Sequence, residues 1–308
     1  MDANALILHH FDASPFAEKI RLVMGLKGLS WHSVEIPMVM PKPQLTALTG
    51  GYRKTPVLQI GADIYCDTQR IALELEKRFP EPSLFPDGRR AAALALTPWS
   101  DDRFFRPGAA LSMGTNTDLP EPILADRREF FSFLDFSTLA ERLPHFFAQF
   151  QCQLGLTNSL IEESPGDYLA GSAPGWADIQ AYFPLWMARG NIATSADLTA
   201  PYAALLAWEQ RMQGVGYGSH DAIEATQALD IAATSESLVT PHIDTQGLAT
   251  EFAIGDAVSI SADDYGQDPV CGDLLILTND AMAVRRSDAQ LGDVVVHFPR
   301  VGFELRKA

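Results

Sequence analysis

Three short stretches of the chain carry residues whose types and spacing suit chemistry. The first is Asp12-Ala13-Ser14-Pro15-Phe16, followed by Ile20, Val23 and Met24 at helical spacing and then by Gly28. That pattern predicts a helix opening at Pro15 and closing at Gly28, with Ser14 as its N-cap. The serine oxygen accepts a free N–H of the first turn, and Pro15 has no N–H to satisfy. The same geometry admits a second role. A helix N-terminus carries partial positive charge, and a hydroxyl there can donate to a thiolate. Together these draw a bound thiol's pKa from about 8.5 towards neutrality and make a nucleophile. The motif by itself is already accounted for by capping.

The second stretch is Lys54-Thr55-Pro56-Val57. A proline at a strand entry removes a ladder donor, which suits an edge or a bend. An X-Pro bond here is either trans, the commoner form, or cis, which would turn the Thr55 backbone towards a ligand lying alongside. The third is Cys66-Asp67-Thr68-Gln69, at a helix start. Asp67 and Thr68 either cap that helix or hold a ligand, Asp67 an ammonium and Thr68 a carboxylate.

The elements that must position these residues are legible in outline. Ala5–Phe11 reads as a buried strand and Ser33–Ile36 as a second, and a long loop with three prolines, Pro37, Pro41 and Pro43, follows before Thr55. Thr55–Ile60 and Asp63–Cys66 read as a hairpin across Gly61-Ala62, and Ile71, Leu75 and Phe79 line the helix that follows, which ends at Pro80. The order β-α-β-loop-β-β-α fills residues 1–80. A linker with prolines and a glycine spans 81–90, and a helical region covers 90–230. From 238 to 308 the character is β-rich: Ala257–Ile260, Leu274–Leu277, Ala283–Arg285 and Val294–His297 are separated by Gly-Asp turns, which suggests a small β-barrel or roll.

Bulk properties exclude several classes. The chain has 308 residues, 39 acidic against 23 basic, for a net charge of -16. Such a surface repels phosphate backbones and anionic lipid heads, so neither nucleic acid nor membrane is an expected partner. No apolar stretch is long enough to span a bilayer, and residues 1–16 lack the basic start of a signal peptide. Cys66, Cys152 and Cys271 are odd in number and widely spaced, which argues against disulfides and a cysteine zinc site and suits a reducing cytoplasm. The ADDYGQDP loop at 262–269 lacks the spacing of a calcium loop and reads as an acidic turn. His297-Phe298-Pro299-Arg300 reads as a strand end with a surface arginine.

Taken together, the Ser-Pro-Phe helix start, the Thr-Pro strand entry and the acid-hydroxyl helix start resemble the soluble glutathione transferases. Tyr168 through Ile179 resembles the family's capping segment for an interior helix, and Pro201-Tyr202 through Met212 its late helix. The resemblance covers residues 5–230 and implies a thioredoxin-like domain followed by an all-α domain, with the β-rich region outside the usual outline. It implies glutathione as co-substrate, no metal, a small electrophilic substrate and a homodimer. Ser14 would hydrogen-bond the glutathione sulfur, Thr55 before Pro56 would pair with the cysteinyl backbone, and Asp67 and Thr68 would hold the γ-glutamyl end. Lys42, Arg53 or Lys54 would meet the glycyl carboxylate. The acceptor would lie between the domains, with Trp99, Arg103, Phe104 and Phe105 as wall candidates and Phe130, Phe131 and Phe133 beside them, although aromatics at this density are as readily core. Position 14 is not a cysteine, so mixed-disulfide chemistry is disfavoured. Gly175 stands where the family often has Ser or Thr. A binding or regulatory protein without catalysis, and a glutathione-dependent isomerase or lyase, are the alternatives that the same residues allow.

Overall fold

The run Ile7-Leu8-His9-His10 is buried along its whole length and forms β1 (Ile7–His10) in a computed structural model that describes residues 4–116, 118–247 and 249–308. Ser14 and Pro15 start α1 (Pro15–Leu26), and β2 (Ser30–Glu35) follows. The proline-rich stretch read as a loop contains a short helix, α2 (Pro43–Thr49), opened by Pro43 and stopped by Gly50 in the left-handed conformation at φ 79°. The hairpin is β3 (Val57–Ile60) and β4 (Asp63–Cys66), and α3 (Thr68–Arg78) completes the first part of the chain.

The helical region runs α4 (Arg90–Pro98), α5 (Phe105–Thr115), α6 (Glu121–Phe130), α7 (Leu139–Glu163), α8 (Trp176–Asn191), α9 (Ser195–Thr199) and α10 (Ala203–Gln213). Between α4 and α5 the chain stays helical but widens into a π-helical segment, Trp99–Phe104, directly after Pro98. Then come β5 (Ser219–Ala222), α11 (Ala225–Thr234), β6 (His242–Asp244), β7 (Ala257–Ala262), β8 (Val270–Thr278), β9 (Ala281–Asp288), β10 (Gly292–Pro299) and β11 (Phe303–Lys307).

These elements fall into two units: Met1–Asp12 with Ser30–Glu74 and His220–Ala308, and Ala13–Leu29 with Leu75–Ser219. The first holds a mixed sheet in the order β11-β7-β8-β9-β10-β4-β3-β1-β2-β5, with β6 beside β8. β1 is parallel to β2 and antiparallel to β3, which gives the thioredoxin-like core. The C-terminal strands are present as expected from their apolar runs, but they do not close on themselves. β10 pairs in parallel with β4, Val295 opposite Asp63 and His297 opposite Tyr65, so the sheet runs on without a break and stays open at β11. The physical reason is the vacant side of β4 and the apolar face of β10. Val294, Val296 and Phe298 are fully buried and share one core with Ile7, Val57 and Ile64. Each such side chain contributes about 1.5–3 kcal/mol of burial.

Helix α11 covers this sheet through Ala228, Leu229, Ile231 and Ala232. Gln59 of β3 ties it down. Its Nε2 donates to the Ala228 and Gly61 carbonyls at 2.8 and 3.1 Å, and its Oε1 accepts from His9 Nε2 at 2.9 Å. Burial pulls the His9 pKa from 6.5 to about 4, so the ring is neutral and donates one proton.

In the second unit α8 is the central helix, with Trp176, Ile179 and Phe183 fully buried. Its start is organised by Asp178, whose carboxylate accepts from Leu169 N (2.8 Å), Gly175 N (3.1 Å) and Trp208 Nε1 (2.8 Å). Burial nevertheless pushes the Asp178 pKa up, with these three donors opposing it. Gly175 is explained by space: a Cβ there would sit 2.7 Å from both the Leu84 carbonyl oxygen and Pro86 Cδ.

Candidate functional site

In the sheet unit the structure gathers Lys42, Arg53, Lys54, Thr55 and Pro56 around the entry to β3. The Thr55–Pro56 peptide is cis. Lys42, almost fully buried just before α2, donates from Nζ to the Thr55 hydroxyl at 3.2 Å and to the Arg53 carbonyl at 3.3 Å. Lys54 turns to the C-terminal region, where its Nζ meets Asp264 Oδ1 at 2.5 Å and lies 4.4 Å from the Tyr265 ring centroid. The acidic turn thus has a partner, which its own spacing did not reveal.

Asp67 is the residue where the backbone is unusual. Its φ of 75° lies in the left-handed region, at a cost of about 1–2 kcal/mol for a residue with a Cβ. That turn lets β4 run straight into α3. Asp67 Oδ1 caps the helix by accepting from Gln69 N at 2.8 Å, and the Asp67 carbonyl accepts from Ile71 N. Thr68, the first residue of α3, is 3% exposed. The preceding Cys66 is buried, and burial, with Asp67 beside it, holds its thiol well above the usual range, so it is a packing residue.

In the helical unit Ser14 caps α1 as its sequence suggests. Ser14 Oγ accepts from Ala17 N at 3.2 Å, and its carbonyl accepts from Glu18 N at 3.1 Å. Accepting through oxygen leaves the hydroxyl proton for donation, so capping and thiolate binding are compatible in one side chain. One turn on, Lys19 is fully buried. It pairs with Asp101 of the π-helical segment, and its Nζ lies 4.2 Å from the Phe183 ring centroid and 4.8 Å from that of Phe16. A buried lysine needs such a partner, and the pair ties the start of α1 to the widened turn.

The expected acceptor aromatics touch one another, Trp99 lying 5.6 Å from Phe104 and Phe105 lying 6.2 and 6.5 Å from Phe131 and Phe133 between ring centroids. Phe104 and Phe105 are 0% and 3% exposed and pack among Phe150, Phe16 and Phe183, so they belong to the core. The Arg103 side chain projects outward beside Asp102. Trp99 donates from Nε1 to Gln153 at 2.7 Å. The Phe131 ring is tilted against those of Phe130 and Phe133, with centroids 5.4 and 5.1 Å away. A cavity of about 610 Å³ in this unit is lined by Ala13, Glu18, Leu22, Tyr182, Trp186, Arg189 and Tyr217 among others. Tyr217 donates to Glu18 at 3.0 Å, and burial with the Glu18 charge pushes the Tyr217 phenol up to about 12. Burial also raises Glu18, against the opposing effect of Arg21. Arg189 is clamped on Glu209 by two hydrogen bonds of 2.7 and 2.6 Å. Aromatic walls with a fixed polar rim suit a planar, largely apolar small molecule. These residues are spread over 200 positions with no local motif, and no periodicity marks them as one wall.

Residues 8–83 match the family described as glutathione S-transferase, N-terminal domain. Over 127 residues the chain is 26% identical to glutathione S-transferase U4 of Arabidopsis thaliana, a stretch that covers 41% of this chain and 56% of that one. The match therefore spans little more than half of the curated relative. A GST-like protein from Pseudomonas syringae with a known crystal structure is 37% identical, covering 99% of this chain and 100% of its own, with a TM-score of 0.78. That coverage takes in the C-terminal strands. Maleyl pyruvate isomerase, a bacterial glutathione S-transferase in the Zeta class, is 18% identical over 68% of this chain and 96% of its own, with a TM-score of 0.51; that likeness is one of fold.

Proposed function

The chain belongs to the glutathione S-transferase family, and from that premise we propose that it binds glutathione and activates the thiol for attack on an electrophilic carbon of a small molecule. The observation that carries the reading is Ser14 at the α1 N-terminus, with its oxygen engaged by Ala17 N–H and its proton left to donate. Asp67 takes the γ-glutamyl ammonium and Thr68 the adjoining carboxylate. The Thr55 main chain pairs with the cysteinyl backbone. Ser14 donates to the sulfur, and the partial positive charge at the helix start favours the thiolate over the thiol. The sulfur lone pair then forms an S–C bond, and the electron pair displaced from carbon leaves with the leaving group or moves onto the acceptor. The protein supplies proximity and electrostatics, and glutathione supplies the nucleophile.

The aromatic cavity beside Ala13 is the site we assign to the electrophile, because it lies next to the residue preceding Ser14 and is lined by Tyr182, Trp186 and Tyr217. The three cysteines are all free, which supports a reducing compartment such as the cytoplasm. Among the described residues no helix is long and apolar enough to cross a membrane.

Calorimetry with glutathione on the wild type and on Asp67→Ala tests the reading. Binding that the variant loses supports it, and a screen of electrophiles then defines the reaction. Equal binding by both proteins would remove Asp67 from the site, and no binding by the wild type would end the glutathione reading.

A further inference from the structure

The loop after β7 carries Asp263, Asp264 and Asp268, and it belongs to the region beyond the usual family outline. It is folded onto the segment that leads into Thr55. Asp264 Oδ1 lies 2.5 Å from Lys54 Nζ, and Tyr265, buried at 6% exposure, places its ring 4.4 Å from the same ammonium. At the other end of the loop, the Pro269 carbonyl oxygen would lie 3.9 Å from a Cβ on Gly51. The Tyr52 phenol between them is held well above its usual range, first by burial and then by Asp67, Cys66, Asp264 and Tyr265.

Lys54 already binds a carboxylate, and that carboxylate comes from the protein. We propose that Asp264 is a specificity-determining residue of the thiol site: it occupies Lys54 in place of the ligand's own C-terminal carboxylate, so the site accepts a thiol peptide whose C-terminus is blocked as readily as one that is free. The inference rests on the glutathione reading above and deepens it. Lys54 is half-buried under the tyrosine ring, where an ammonium–carboxylate contact is worth more than on an open surface. A glycyl carboxylate arriving there must displace Asp264. Removing the Asp264 charge frees Lys54 and lets the carboxylate count.

The test is calorimetry with two probes, glutathione and its glycyl ethyl ester, on the wild type, on Asp264→Asn and on Asp264→Ser. The wild type is expected to bind both within about threefold, and each variant to prefer glutathione by about tenfold, the usual worth of one charge-assisted hydrogen bond. Adding Lys54→Met to Asp264→Asn should abolish that preference. A wild type that already prefers glutathione tenfold, with no change in either variant, overturns the inference and leaves the glutathione reading standing. Failure of every protein to bind either probe overturns both.

Discussion

Replacing Ser14 separates its role as a helix cap from the role proposed for it at the thiolate. As the N-cap of α1 it accepts from Ala17 N at 3.2 Å while 3% exposed. Ser14→Ala removes the cap at about 1 kcal/mol of stability, whereas Ser14→Gly costs only a few tenths, about 0.3 kcal/mol. Both remove the donor proposed for the thiolate. A hydrogen bond to a charged group contributes about 1.5–3 kcal/mol, so both should raise the pKa of bound glutathione by about one to two and slow thiolate attack about 10- to 150-fold. The expected pattern is one stable and one weakened variant with the same catalytic defect. The assay is the ultraviolet absorbance of the thiolate in the binary complex across a pH series, alongside turnover and urea unfolding. Glutathione affinity should stay near wild type in both, because Asp67, Thr68 and Thr55 are untouched. If Ser14→Gly keeps the wild-type thiolate pKa, or if activity falls in step with stability across the two variants, the hydroxyl is a cap and nothing more.

Asp178→Ala strands the Trp208 indole N–H and two backbone N–H groups, and urea unfolding should show a loss of about 3–5 kcal/mol. Gly175→Ser installs the residue type common in the family, yet its Cβ would meet Leu84 O and Pro86 at 2.7 Å, so we expect a loss of about 1–3 kcal/mol where capping logic alone expects a gain. For His9 the folded pKa of about 4 lies below the ordinary 6.5, so the unfolded chain takes up the proton first on acidification. The stability from neutral His9 is fully present above 6.5 and is lost as the pH falls to about 4, a drop of about 3 kcal/mol. A His9→Gln variant, measured by chemical denaturation at both ends of that range, should lack this drop.

The local chemistry of helix ends and hairpins was readable because it is written in neighbouring residues. Ser14-Pro15, Gly61-Ala62 and Asp67-Thr68 each specify a cap or turn over two or three positions, and each is found where expected. The helix Pro43–Thr49 was hidden because three prolines read as a loop, although Pro43 suits a first helical position and Gly50 a stop. The order of the sheet was not legible. Nothing in VVVH says that β10 will lie beside β4, because both strands are apolar and either could pair with many others. The same holds for His297. It read as part of a strand end, but it is 3% exposed, pairs with Asp63 at 2.9 Å and stacks on Tyr65, all of which depend on a contact distant in sequence. Burial lowers its pKa against the pull of Asp63. Lys54 was recognised as a basic residue near Thr55, and its occupation by Asp264 follows only from the fold.

The pairing of Val295 with Asp63 also sets a timetable. The two strands it joins are roughly 230 residues apart in the chain. At about 5–20 residues per second, a ribosome needs roughly 10 to 50 seconds to travel from one to the other. For that interval β4 is complete but has a bare row of N–H and C=O groups on one side, the kind of edge that recruits stray strands. The strand is only four residues long and begins with a charged Asp63, both of which blunt such an edge. The last strands to emerge are thus the ones that seal the first sheet to form, and a nascent chain halted within the helical region carries that open edge for as long as it is halted.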